Sequence, residues 1–197
     1  MITYYDVIIA CWAAFLIVWF ASAFGVKRDV QGGAFSMLSA RYFLIRISII
    51  VLVAFAVSWI ESRGAHQVNI DAALLFTPPL WLGWLGAAMA VLGVLFAIWA
   101  RYHLGRNWSP APSMKEGHEL VTSGPYRFVR HPIYTGVLFA ILGAAITGTF
   151  FGIGVLVAGS VIFLMRIPKE ERFMLGLFPD QYPAYQARTK RLIPFVW

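Results

Sequence analysis

The sequence predicts an all-α integral membrane protein with about five transmembrane helices. Of its 197 residues, 60% are hydrophobic and only 13% are charged, whereas a soluble domain carries about 25% charged residues. Apolar runs of about 20 residues, the length that crosses a bilayer, recur along the chain. With the N-terminus outside, all of the 16 lysines and arginines except Arg63 fall on the cytoplasmic side, as the positive-inside rule requires. We therefore expect a multi-pass protein of the cell inner membrane with a cytoplasmic C-terminus.

The net charge and the cysteine content narrow the choice of partners. The formal net charge of +7 comes from residues that flank the apolar runs, which indicates contact with anionic lipid headgroups and no nucleic acid. The single cysteine, Cys11, excludes an internal disulfide and a cysteine-based metal site, and no metal is predicted. The sequence does not indicate an oligomeric state.

The spans form one membrane domain, residues 1–197. The first and second spans cover about 5–24 and 42–60, each followed by a polar connection. Neither carries a motif, so residues 1–79 are predicted to be a two-span support region.

The third span, about 80–99, precedes a long polar connection. The fourth and fifth spans, about 134–147 and 151–165, are separated by three residues and must form a short antiparallel helical hairpin. Both contain small residues that permit close backbone approach, and we expect the two spans to pack through them: Gly136, Gly143, Ala144 and Ala145 on one, Gly152, Gly154, Ala158 and Gly159 on the other.

Polar chemistry is concentrated between His118 and Tyr134, the longest polar segment of the chain. Pro132 fits the first turn of a helix, where its missing N–H costs nothing. His131 therefore lies near the N-cap of the fourth span, where free N–H groups and a partial positive charge suit a carboxylate. The alternative is that Arg130, His131 and Tyr134 only anchor the helix at the interface.

A second polar group lies at the cytoplasmic end of the fifth span. Arg166 and Glu170 are four residues apart and share one helical face, which the hairpin brings beside His131 and Tyr134. Charged groups near membrane depth indicate a functional site, although an ordinary ion pair at this spacing is the alternative. Glu171 points around the helix and is expected to be solvated.

Several common site motifs are absent from the sequence. GxGxxG, the P-loop, HExxH and GxSxG do not occur, which argues against a soluble dinucleotide fold, a zinc protease and a serine hydrolase. A nucleotide-like cofactor would therefore bind in a pocket between helices.

The motifs of the last 95 or so residues resemble the isoprenylcysteine carboxyl methyltransferase family and its wider group, which includes phospholipid N-methyltransferases. The resemblance rests on Gly105-Arg106-Asn107-Trp108 and on HELVTSGPYRFVRHPIYTG from His118 to Gly136. It continues with the Glu170-Glu171 pair, LFPDQYPAY and the C-terminal RLIPF. The long central motif is the specific part, and the Glu-Glu pair alone would be weak.

The resemblance implies that residues 80–197 form a methyltransferase core with a cytoplasmic pocket for S-adenosylmethionine, which leaves as S-adenosylhomocysteine. By motif position, Arg166 would contact the substrate carboxylate and Glu170 would bind cofactor, as the catalytic pair. The connection before His118 is shorter than in the eukaryotic enzymes, so no contact is carried over there. The other implied cofactor contacts are His118, Glu119, Leu120, Val121, Tyr126, His131, Pro132, Ile133 and Tyr134.

The acceptor is expected to be a lipid-like or small hydrophobic molecule, most simply a carboxylate, which needs no general base. With an amine or phospholipid acceptor, Glu170 becomes a candidate base and Arg166 loses its obvious role. Two other interpretations stay open. One is an NADPH-dependent membrane reductase of the sterol type, which has a related His-Pro-x-Tyr segment, and the other is a non-catalytic membrane scaffold.

Overall fold

The computed structural model describes residues 2–23, 29–31, 78–108, 114–115, 117, 119–147 and 150–196. The second predicted span and His118 lie outside the described residues.

Besides one short pair of strands and two 3₁₀ turns, the described ranges contain five α-helices: α1 (Tyr4–Ala23), α2 (Leu80–Leu104), α3 (Pro132–Ala145), α4 (Phe150–Leu177) and α5 (Tyr182–Arg188). Within those ranges, three helices are long and apolar enough to cross a membrane: Tyr4–Ser22, Leu80–Leu104 and Gly152–Leu177. The prediction of a helical integral membrane protein is therefore confirmed. Helix α3 has 14 residues, a length of about 21 Å at 1.5 Å per residue, which is short for a span.

The elements predicted from apolar runs begin close to where the sequence places them. Pro132 occupies the first turn of α3 with His131 at its N-cap, as its fixed φ and missing N–H predict. Helix α4 continues well beyond its apolar run, to Leu177, and carries Pro168 inside it. One feature was not predicted: β1 (Asp29–Gln31) pairs antiparallel with β2 (Met114–Lys115).

Helix α3 packs most closely on α2, through glycine. A Cβ added at Gly136 would lie 2.5 Å from the carbonyl oxygen of Gly93, and one added at Gly143 would lie 2.5 Å from that of Gly86. Such backbone contact favours helix association in a membrane, where apolar side chains gain nothing over lipid.

The predicted close approach of the fourth and fifth spans is therefore wrong at Gly154 and Gly159. Among the described residues, nothing lies within 4 Å of a Cβ added at Gly154, and one added at Gly159 meets only the side chains of Ile141 and Leu138. The glycines of α3 pack against α2 because the two helices cross with their glycines in register. The hydropathy of the sequence does not reveal this register.

Helix α1 lies along α2 in the same direction. Its first turn meets the start of α2, where a Cβ added at Gly83 would strike the ring of Tyr4. At the other end, Arg101 of α2 donates from Nη2 to the carbonyl oxygen of Ser22 at 2.6 Å and from Nη1 to that of Gly105 at 2.9 Å. The guanidinium also lies 4.4 Å from the ring centroid of Trp108. A buried arginine thus joins the ends of α1 and α2.

Candidate functional site

The N-terminus of α3 is held by the C-terminal part of the chain. The N–H of Arg130 donates to the carbonyl oxygen of Lys190 at 2.8 Å, and the N–H of His131 to that of Arg191 at 3.0 Å. Val129 and Lys190 pair as an isolated parallel bridge. Residues 190–191 therefore run alongside the Arg-His-Pro motif and bring the C-terminus back to it.

The centre of the site is the carboxylate of Glu170. Tyr134 donates its hydroxyl to Glu170 Oε1 at 2.6 Å, and Arg166 Nε donates to the same oxygen at 2.5 Å. His131 Nδ1 lies 3.6 Å from Oε2. The predicted meeting of the Arg166–Glu170 face with His131 and Tyr134 is therefore confirmed as geometry.

Three rings are stacked behind this carboxylate. The rings of His131 and Tyr134 are 5.6 Å apart and 3° from parallel, and those of Tyr134 and Phe163 are 4.3 Å apart and 10° from parallel. Phe163 is buried. Because aromatic pairs add stability beyond their burial, the stack fixes the ring that carries the Tyr134 hydroxyl.

Glu171 is buried, with 4% of its surface exposed, and the expectation that it is solvated is wrong. Its Oε1 accepts from Arg130 Nε at 2.8 Å, and its Oε2 accepts from Arg191 Nε at 3.3 Å. Gln186 Nε2 also donates to Oε2, at 3.4 Å. The C-terminal segment folds over this face of α4, and the sequence of α4 by itself contains no sign of that cover.

His131 lies between the two adjacent carboxylates. Its Nε2 is 3.5 Å from Glu171 Oε1, yet this buried atom makes no hydrogen bond to the described residues. A buried ring nitrogen without a partner is costly. Its position between Glu170 and Glu171 makes it a group that a bound ligand or water can satisfy.

Arg130 connects the site to the end of α5. Its Nη1 donates to the carbonyl oxygens of Gln186, at 3.2 Å, and Thr189. Tyr185 donates its hydroxyl to the carbonyl oxygen of Tyr126 at 2.7 Å. Burial raises the pKa of the Tyr126 phenol and that of Tyr185, so both phenols stay neutral and Tyr185 keeps its donor throughout the physiological range.

The remaining motif residues take varied positions. Tyr126 is buried in a 3₁₀ turn, Gly124–Arg127, and Pro132 is fully buried at the start of α3. Ile133 is half-buried on α3. Residues 119–121 form an extended segment in which Glu119 is exposed and the next two side chains, Leu120 and Val121, are half-buried.

Sequence reasoning missed His103 and Phe163. His103, near the end of α2, has its Nε2 2.9 Å from Ser123 Oγ, and its ring stacks on that of Tyr126 at 6.5 Å. Gly124 has φ +57°, and a Cβ there would lie 2.6 Å from the His103 ring. The one available signal was a histidine at the polar end of a span.

The family follows from two comparisons with known proteins. Residues 85–176, which include α3 and most of α2 and α4, match the model of the Isoprenylcysteine carboxyl methyltransferase (ICMT) family. The protein named Protein-S-isoprenylcysteine O-methyltransferase B of Arabidopsis thaliana is 32% identical over 133 residues, covering 64% of this chain and 68% of that protein. The chain belongs to the ICMT family. This confirms the predicted family, and the Arabidopsis relative is named as a methyltransferase.

This chain covers little more than half of two other proteins that it resembles. The Cobalt-zinc-cadmium resistance protein CzcN of Cupriavidus metallidurans is 35% identical over 127 residues, which cover 62% of this chain and 57% of that protein. The solved structure of the eukaryotic intramembrane Ras methyltransferase ICMT superposes with a TM-score of 0.57 at 25% identity, covering 77% of this chain and 53% of that one. The chain thus spans between half and about two thirds of these three proteins.

Proposed function

We propose that this ICMT-family protein is an S-adenosylmethionine-dependent carboxyl methyltransferase that acts on an S-prenylated cysteine or a similar lipid-like carboxylate. The observation that carries the proposal is the Arg166–Glu170–Tyr134 group, where the first turn of α3 meets the C-terminal half of α4. In this group the Arg166 guanidinium lies beside the Glu170 carboxylate in a partly buried setting. Its planar fork can also match the carboxylate of an acceptor.

The donor and acceptor groups fit the proposed cofactor. Glu170 Oε1 is engaged by Tyr134 and Arg166, whereas Oε2 is 3.6 Å from the nearest His131 nitrogen. The Glu170 side chain is 21% exposed, so its Oε2 can accept from an ammonium group. His131 turns Nδ1 toward this oxygen and Nε2 toward Glu171 Oε1, at 3.6 and 3.5 Å, so Nδ1 is the ring nitrogen nearest the proposed ammonium position.

The other predicted cofactor contacts stay part of the proposal. Tyr126 and the 119–121 segment precede the Arg-His-Pro turn in the chain, so their backbone groups can contact the proposed cofactor. Pro132 and Ile133 support that turn from the first turn of α3.

The protein's own residues supply positioning and electrostatics. When bound, S-adenosylmethionine supplies an electrophilic methyl group, whose chemistry belongs to the cofactor. Arg166 holds the acceptor carboxylate in line with that group, and the Glu170–Arg166 contact fixes the direction of the guanidinium. An ionised carboxylate acceptor carries no proton, so no residue needs to remove one before the methyl group is transferred. Stacked His131, Tyr134 and Phe163 exclude water from one side, which strengthens the electrostatic contacts.

The topology is proposed to have five spans with the site on the cytoplasmic side. Arg101 bonds to Ser22, and Tyr4 meets Gly83, so α1 and α2 run parallel. A parallel pair needs one return crossing between them, which residues 42–60 are long and apolar enough to make. The N-terminus is then outside, and the basic ends of α2 and α4 face the cytoplasm of an inner membrane. On this view, residues 1–79 support the core formed by 80–197.

Titration of the purified full chain tests the cofactor. S-adenosylhomocysteine and NADPH are titrated in parallel by calorimetry into wild type, Glu170→Gln and the matched control Asp180→Asn, which changes an exposed carboxylate. We expect S-adenosylhomocysteine to bind wild type and the control, to bind Glu170→Gln at least tenfold more weakly, and NADPH to leave all three unaffected. Binding of NADPH alone would favour the reductase, and binding of neither to folded protein would favour the scaffold.

A matched pair of acceptors tests the substrate class. In methyl-transfer assays, a prenylated cysteine analogue with a free carboxylate should be methylated, and its carboxamide should not. Methylation of an amine or a phospholipid in place of the carboxylate would overturn the acceptor but not the cofactor.

A further inference from the structure

The last described residues form an exposed apolar turn next to the site. Phe195 is 91% exposed, Val196 71% and Ile193 53%. The turn is closed by the N–H of Val196, which donates to the carbonyl oxygen of Ile193 at 3.2 Å. Phe195 has φ +66°, a left-handed conformation that a bulky residue adopts rarely. Three large apolar side chains are thus presented outward from a tight turn.

This turn lies at the level where α3 enters its apolar run. Thr135, one helical turn inside α3, donates its hydroxyl to the carbonyl oxygen of Leu192 at 2.7 Å, and Leu192 itself is buried. The chain therefore descends beside the first turn of α3 before the apolar turn begins. Arg166 and Glu170, the charged residues of the site, lie in the C-terminal half of α4, which faces this first turn of α3. The apolar turn is therefore at the boundary between the polar site and the apolar surface.

Basic residues precede the turn. Arg188 and Lys190 are both exposed, whereas Arg191 is turned inward to Glu171. A pair of cations followed by exposed apolar side chains is the pattern of segments that bind an anionic lipid interface.

We propose that the turn Ile193–Val196 inserts into the lipid–water interface, with Arg188 and Lys190 on anionic headgroups, and forms the lipid-side edge of the site. The occupant of this apolar surface is the bilayer, because Leu192, the residue before the turn, is bonded to the first turn of α3 and the two exposed cations that precede the turn suit anionic headgroups. The inference does not depend on which acceptor the protein methylates.

Spin labels measure the depth of the turn. On a Cys11→Ser background, single cysteines replace Phe195, Leu92 and Asp180 in the full chain, which is placed in nanodiscs and labelled. Leu92, 60% exposed on α2, is the lipid reference, and Asp180, exposed before α5, is the water reference. We expect the ratio of oxygen to nickel-chelate accessibility at position 195 to be nearer that of position 92.

Lipid charge tests the second half of the proposal. Nanodiscs with anionic lipid should give a higher ratio at position 195 than purely zwitterionic ones, and R188E together with K190E should remove the difference. A label at 195 as accessible to the chelate as one at 180 overturns insertion. A label shielded from both reagents means that protein covers the turn, and this also overturns it. A ratio insensitive to lipid charge overturns the headgroup contact.

Discussion

Replacing Glu171 with alanine should destabilise the protein strongly, although this residue is outside the predicted contact set. The change leaves the Arg130 guanidinium without its carboxylate partner. Both side chains are buried, at 9% exposure for Arg130 and 5% for Glu171. Breaking a buried pair by removing one partner costs about 3–5 kcal/mol. Arg130 keeps the carbonyl oxygens of Gln186 and Thr189, so we expect the lower end, about 3 kcal/mol. The more exposed Arg191 adds little, because surface pairs contribute at most about 1 kcal/mol.

Thermal unfolding in detergent measures this cost, followed by the fluorescence of the eight tryptophans. A loss of about 3 kcal/mol lowers Tm by roughly 6–12 °C for a chain of this size. The matched control is Arg172→Gln, one residue further along α4. In the described part of the chain its exposed side chain bonds only to the Pro168 carbonyl of its own helix, so the change should alter stability by less than about 0.5 kcal/mol. In an Arg130→Met background, Glu171→Ala should cost less by about 0.5–3 kcal/mol. A Tm for Glu171→Ala equal to that of Arg172→Gln would refute the reasoning.

Three further predictions concern helix packing, the site and alkaline pH. Gly143→Ala should cost about 1–3 kcal/mol of stability by overpacking. The control Gly154→Ala, whose added Cβ meets none of the described residues within 4 Å, should stabilise α4 by about 0.5–1 kcal/mol. Unfolding curves in the reverse order would contradict the contact between Gly143 and α2. Tyr134→Phe removes a hydrogen bond to a charged group, worth about 1.5–3 kcal/mol, so steady-state assays should show at least a roughly tenfold loss in kcat/KM, and wild-type kinetics would exclude a role for the hydroxyl. Burial raises the folded-state pKa of Tyr185, so its contribution to stability is complete below the unfolded-state pKa of about 10 and is lost as pH rises through the folded-state pKa. Tm should therefore fall above about pH 10, and it should fall less steeply in Tyr185→Phe. Equal slopes of Tm against pH in the two proteins would count against this group.

Much of the fold could be predicted because it depends on local features. The first predicted span, 5–24, corresponds to the helix Tyr4–Ala23, since an apolar run of that length has few alternatives in a bilayer. Pro132 marked the start of α3 because its ring fixes φ and it lacks a donor. The spacing of Arg166 and Glu170 placed both on one face, and the short link before α4 brought that face to Tyr134.

What could not be predicted depends on partners far away in sequence. Gly143 was expected to pack against the fifth span, and only the register of the helix crossing placed it against α2. His103 contacts Ser123 across 20 residues, and no pattern along either segment signals that pair.

The sequence by itself determined that this is a helical membrane protein of a methyltransferase family, and which residues form its polar centre. Apolar length, charge placement and a dense motif are readable locally, and they suffice for that. Only the tertiary structure decided that Glu171 is buried, because its cover comes from Arg130 and Arg191 on segments that return to α4. A carboxylate on a helix end has the same local sequence whether solvent or another part of the chain lies over it, so its burial is a property of the folded chain alone.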